Sequence, residues 1–84
     1  MNYRVYWEQA AVDDLAEVFA VRPRDGQRIV ITVRTFSRDG RGDLKKLAGG
    51  SDDWRLRSGD WRVILTIQDG KAWIGHVDNR RDAY

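Results

Sequence analysis

The chain has no cysteine, one proline, one histidine and no long apolar run. Without cysteine there is no disulfide framework and no thiolate metal site, which suits a reducing cytoplasm. The histidine, His76, has no second histidine or suitable carboxylate cluster beside it to suggest a metal. A lone histidine on a strand is more often structural than catalytic. No segment approaches the roughly 20 apolar residues that a membrane helix needs. The opening Asn2-Tyr3-Arg4 lacks a signal-peptide pattern. With 84 residues, one small domain, 1–84, with a modest core is expected, without linker or internal repeat. No cofactor is implied.

Net charge is only +2, so bulk electrostatics do not by themselves announce a nucleic-acid binder. The kind of base says more: twelve arginines stand against three lysines. Arginine presents a planar fork that pairs bidentately with phosphate and stacks on bases. A GC-rich genome also favours arginine codons, and the scattered Arg22, Arg24, Arg34 and Arg38 need no other explanation. The four tryptophans, Trp7, Trp54, Trp61 and Trp73, can supply much of the core, since an aromatic side chain buries about 150–250 Å².

Tyr3 to Trp7 alternates as a short strand. Ala11, Leu15, Val18 and Phe19 recur at helical spacing, which predicts a helix over 8–19. It is broken at Val21-Arg22-Pro23, because the residue before proline disfavours the helical region. Ile29-Val30-Ile31-Thr32-Val33 is β-branched and locally leans to strand, although Ile29, Val33 and Phe36 also fit one helical stripe. Arg38 to Asp43, with two glycines among charges, reads as a loop. Leu44 to Leu47 carries a weak signal for another strand. The end of the chain is clearest. Trp54-Leu56 and Trp61-Val63-Leu65-Ile67 alternate with polar or cationic neighbours, and Ser58-Gly59-Asp60 joins them tightly. Asp69-Gly70 is a strong hairpin signal leading to Lys71–Val77. Three antiparallel strands in a meander are expected.

Side chains alternate faces along a strand. If Trp54, Leu56, Trp61, Val63 and Leu65 point inward, then Arg55, Arg57 and Arg62 share the other face. Like charges side by side repel unless an anion lies between them. A solvated face with counter-ions would look the same; the tail Arg80-Arg81-Asp82-Ala83-Tyr84 favours a phosphate site. The acid pairs Asp13-Asp14 and Asp52-Asp53 lack the context of an acid/base dyad. Gly49-Gly50 lacks the following helix and Lys-Ser/Thr of a phosphate-cradling loop.

The string Leu44-Lys45-Lys46-Leu47-Ala48-Gly49-Gly50, then Trp54-Arg55-Leu56-Arg57-Ser58-Gly59-Asp60-Trp61-Arg62-Val63-Ile64 and the closing Arg80-Arg81-Asp82-Ala83-Tyr84, resembles the RelE/ParE superfamily of type II toxin–antitoxin toxins. The opening Tyr3–Trp7 with Ala10-Ala11 and Asp14-Leu15 fits it too. The resemblance spans the chain, is most specific over 44–64 and 80–84, and is vague over 20–43. It implies an α+β fold: an N-terminal strand, a two-helix hairpin and a three-stranded antiparallel meander forming a four-stranded sheet. On that pattern the segment near Asp25–Ser37 is the second helix, against local propensity.

RelE-like members cut messenger RNA on the ribosome, without metal; ParE-like members inhibit DNA gyrase. The RelE-like pattern implies catalytic roles for Arg55, Arg62, Arg80 and Tyr84, with Arg57, Arg81, Lys45 and Lys46 extending the RNA-binding surface. Many relatives carry Gly-His before the final arginine, where Asp78-Asn79 stand here, so the burden of general base moves to Tyr84. The implied partners are a cognate antitoxin, the ribosome and its mRNA, or, for a ParE-like member, gyrase. A decayed toxin that only binds its antitoxin is the third reading.

Overall fold

A computed structural model describes residues 2–49 and 52–79. The elements run β1 (Arg4–Trp7), α1 (Gln9–Val21), α2 (Pro23–Asp39), β2 (Asp43–Lys46), β3 (Asp53–Ser58), β4 (Trp61–Gln68) and β5 (Lys71–Asn79). The strands form one sheet in the order β1-β5-β4-β3-β2. β1 lies parallel to β5, and β2 through β5 form an antiparallel meander. No helix among the described residues is long and apolar enough to cross a membrane.

The helix boundary at 21–23 follows from proline chemistry. Only Arg22 separates α1 from α2, its N–H bonding the Val18 carbonyl, and Pro23 opens α2 where a helix has no use for an N–H. The β-branched run Ile29–Val33 lies inside α2, so the local lean to strand is overturned. As a helix the segment buries Gly26, Ile29, Val33 and Phe36 at steps of three and four, one stripe facing α1 and the sheet. A strand would bury every second residue and expose either Val33 or Phe36. Tertiary packing outweighs a propensity difference of a few tenths of a kcal/mol per residue.

Gly26 of α2 packs directly against Phe19 of α1. A Cβ there would lie 2.7–2.9 Å from three atoms of the Phe19 ring, so the close approach depends on a missing side chain.

The β4–β5 turn is made by Asp69 (φ 52°) and Gly70 (φ 75°). Both lie in the left-handed region that a tight two-residue hairpin demands.

The sheet has five strands rather than the expected four. The added strand, β2, pairs antiparallel with β3 and sets Leu44 opposite Leu56. Its four residues are short and polar, and the weak strand signal over Leu44–Leu47 is realised at Asp43–Lys46, where the unpaired edge of β3 supplies the hydrogen bonds.

The core lies between the helices and one face of the sheet. Ala11 and Val18 of α1 and Ile29, Val33 and Phe36 of α2 pack with Leu56, Val63, Leu65, Ala72, Ile74 and Val77. A hydrogen bond of 2.9 Å between Thr32 Oγ1 and the buried Ser58 Oγ ties α2 to the end of β3. At the other end the Tyr3 N–H bonds the Ser37 carbonyl, and the Tyr3 and Phe36 rings stack 4.7 Å apart.

β5 carries a bulge at Gly75. The register runs Leu65↔Ile74, then Ile64↔His76, leaving Gly75 without a partner on β4. The bulge keeps Ala72 and Ile74 on the core face before it and Val77 on the same face after it. Past the end of β1 the Val77 N–H is left at an edge, where the Asp14 carboxylate accepts it at 3.0 Å. That carboxylate also approaches His76 Nδ1 at 3.5 Å, giving the histidine a partner in a structural tie.

Candidate phosphate-binding groove on the open sheet face

The helices cover one face of the sheet. On the other, strand parity brings the cations together. Leu56, Val63 and Leu65 are sealed in the core, so Arg55, Arg57 and Arg62 point to the open side. The register sharpens this: Arg57 stands directly opposite Arg62, and Arg55 directly opposite Lys45. These four residues, with Gly59 and Asp60 of the β3–β4 turn and Trp61 at the start of β4, line a groove of about 320 Å³.

Carboxylates hold two of the arginines from the rim. Arg62 Nε donates to Asp78 Oδ1 at 2.9 Å, a cross-strand pair between β4 and β5. Arg55 Nη1 lies 3.3 Å from Asp43 Oδ1 and 3.3 Å from the Asp43 carbonyl. Arg57 Nε donates to the Gly59 carbonyl at 3.1 Å. Among the described residues, neither Arg57 nor Lys45 has an ion pair. The groove thus holds four cations against two bridged carboxylates and the Asp60 side chain, an excess of positive charge suited to an anion. Guanidinium forks from adjacent strands match the geometry of a phosphate.

Lys46 leaves the predicted set. It pairs with Trp54, not Arg55, which puts it on the helix side of the sheet with its ammonium 6.0 Å from the Trp54 ring centre. Adjacent residues of a strand cannot share a face, so only one of the two lysines can belong to the groove. Arg80, Arg81 and Tyr84 lie outside the described residues.

Two groove residues escaped sequence reasoning: the counter-ions Asp78 and Asp43. Counting back from the Asp69-Gly70 turn without a bulge sets Arg62 opposite Val77. The bulge at Gly75 advances β5 by one residue and delivers Asp78 instead. The sequence does carry a trace of it, because the buried positions Ala72, Ile74 and Val77 step by two and then by three.

A larger cleft, about 430 Å³, opens between α1 and the ends of β4 and β5. Four of its lining residues, Asp14, Glu17, Asp60 and Asp78, are acidic. Their charge is wrong for a phosphate, so size does not identify the site here.

No family model matches the chain, and no curated protein sequence matches it. Solved structures do. The RelBE2 toxin–antitoxin complex of Mycobacterium tuberculosis contains a chain 25% identical to this one, over 95% of this chain and 100% of that one, at a TM-score of 0.79. The archaeal RelE–RelB complex of Pyrococcus horikoshii gives 26% identity over 95% and 97%, at 0.74. The RelB–RelE complex of Methanococcus jannaschii gives 20% over 94% of each chain, at 0.76, a likeness of fold alone. With the motif over 44–64, the strand–helix–helix–meander order and these likenesses, the chain belongs to the RelE/ParE superfamily of toxins.

Proposed function

We propose that this chain is the toxin of a type II toxin–antitoxin module and acts as a ribosome-dependent, metal-independent mRNA endoribonuclease. The observation that carries the reading is the groove in which Arg57 faces Arg62 across β3 and β4 with Arg55 and Lys45 alongside. Two like charges held opposite each other destabilise a sheet, and an anionic substrate relieves that repulsion. An inhibitor that works by covering a protein surface has no need of this arrangement.

In the proposed reaction the ribose 2′-hydroxyl attacks the adjacent phosphorus and the bond to the 5′-oxygen breaks. Arg62 and Arg57 hold the phosphate and stabilise the charge that grows on its oxygens. Tyr84 takes the proton of the 2′-hydroxyl, and Arg80 stabilises the departing 5′-oxygen. Both roles rest on the sequence pattern. The last described residue, Asn79, pairs with Trp61 at the rim of the groove. An ordinary phenol titrates near 10, and neighbouring guanidiniums favour the phenolate. A site with so weak a base relies on the ribosome to orient the message, and little cleavage of free RNA is expected. The antitoxin would shield the groove with acidic side chains.

The test is induced expression in bacteria with mapping of 5′ ends on ribosome-bound transcripts. The unaltered chain should arrest growth and produce new 5′ ends inside codons; Arg62→Ala and Tyr84→Phe should do neither. Arrest that persists unchanged in both variants defeats the nuclease reading. Inhibition of gyrase supercoiling by the pure protein would put the ParE-like activity in its place.

A further inference from the structure

The open sheet face carries a second feature that the cleavage chemistry does not use. Tyr6 of β1 stands opposite Trp73 of β5. Val5, Trp7, Ala72 and Ile74 pack into or against the core, so Tyr6 and Trp73 point to the open side, the side of the groove. Their rings stack with centres 5.9 Å apart and planes within 20°. Tyr6 is 42% exposed and Trp73 half-buried. One step further along, Arg4 stands directly opposite Lys71, both exposed. This is a second cross-strand pair of like charges on the same face.

The arrangement has a direction. Arg62, Thr66 and Gln68 mark its rows along β4: the groove at Arg62, the aromatic pair at Thr66↔Trp73, and the Arg4–Lys71 pair at Gln68↔Lys71. At about 3.3 Å per residue, the cationic rows lie roughly 20 Å apart, with the aromatics between them. Asp53, which pairs with Thr66 in the middle row, accepts a 2.8 Å hydrogen bond from that threonine, and Asp52 accepts one of 2.8 Å from Gln68 at the far row. Cations at both ends and aromatic rings between them are what a flexible polyanion with flat bases requires.

We propose that Tyr6 and Trp73 form a stacking platform for a nucleobase of the RNA strand whose phosphate sits in the Arg57–Arg62 groove, with Arg4 and Lys71 holding a phosphate farther along. This rests on the nuclease reading and extends it from one linkage to a short single-stranded track. The platform is tolerant of base identity, since every base has a flat face, and it contributes affinity rather than chemistry.

The test is a fluorescence anisotropy titration of the full chain, at low salt, with a labelled single-stranded ribo-oligonucleotide and with an abasic ribose-phosphate chain of equal length. Tyr6→Leu and Trp73→Leu should each weaken binding of the intact oligonucleotide by roughly five- to a hundredfold and leave the abasic chain nearly unaffected. Trp73→Phe, which keeps a ring, should retain most of the affinity. Arg57→Ala should weaken both ligands. Loss in the aromatic variants that is equal for both ligands, or no loss at all while Arg57→Ala still weakens binding, overturns the platform and leaves the groove standing. If the unaltered chain binds neither ligand, the groove reading falls with it.

Discussion

Arg57 and Arg62 are directly opposed across β3 and β4, each on the uncovered face of the sheet. Such a pair costs a few tenths to about 1 kcal/mol relative to neutral residues. Arg57→Ala should therefore raise the melting temperature slightly at low salt. Added phosphate or sulfate should stabilise the unaltered protein well beyond an equal ionic strength of chloride, and Arg57→Ala should lose most of that specific gain. Thermal melts in the two salts check both statements.

The Arg62–Asp78 bridge makes a prediction of opposite sign for the groove. Asp78 occupies the guanidinium that a phosphate would take, and both partners are partly exposed, at 26% and 40%. An exposed bridge is worth about 0.2–1 kcal/mol, so Asp78→Asn should tighten oligonucleotide binding by up to about fivefold. Weaker binding in this variant would mean that the carboxylate holds Arg62 in place for the substrate rather than competing with it.

Salt dependence counts the contacts. For single-stranded nucleic acid the slope of log K against log salt is about −0.7 per phosphate neutralised. Removing Lys45 or Arg57, the two groove cations without ion pairs among the described residues, should each reduce the slope by about that amount. Lys46→Ala, on the other side of the sheet, should leave it unchanged. A titration at several salt concentrations reads this directly.

The Thr32–Ser58 bond joins α2 to the strand end that carries Arg57. Ser58 is 3% exposed, so Thr32→Val leaves its hydroxyl buried without a partner, at a cost of about 1–3 kcal/mol. Adding Ser58→Ala should recover part of that loss. A double-mutant cycle by denaturant unfolding measures the coupling, and strictly additive losses would show that the bond contributes nothing.

Gly26 and Phe19 form a second coupled pair. A Cβ at Gly26 would strike the Phe19 ring at 2.7–2.9 Å, and overpacking costs about 1–3 kcal/mol. Gly26→Ala should destabilise the native chain. In a Phe19→Ala background the clash is gone and the same change should stabilise, by up to about 1 kcal/mol, through helix propensity. Failure of the sign to reverse would place the constraint elsewhere.

Alternation along the strands was enough to put Arg55, Arg57 and Arg62 on one face, because a period of two leaves no freedom once Leu56, Val63 and Leu65 are buried. The Asp69-Gly70 hairpin was equally legible, since few residue pairs tolerate left-handed backbone at both positions. Three things were settled by the assembled structure, the second of them only faintly signalled in the sequence. Ile29–Val33 became helix because burying Ile29, Val33 and Phe36 in one stripe outweighs a weak local preference. Asp43–Lys46 became a strand because the edge of β3 supplied its hydrogen bonds, and that register separated Lys45 from Lys46. The bulge at Gly75 brought Asp78 rather than Val77 to Arg62, because Val77 has to reach the core. Local alternation sets which way each side chain points; which side chains meet depends on register, and register is settled by the packing of the whole sheet against its helices.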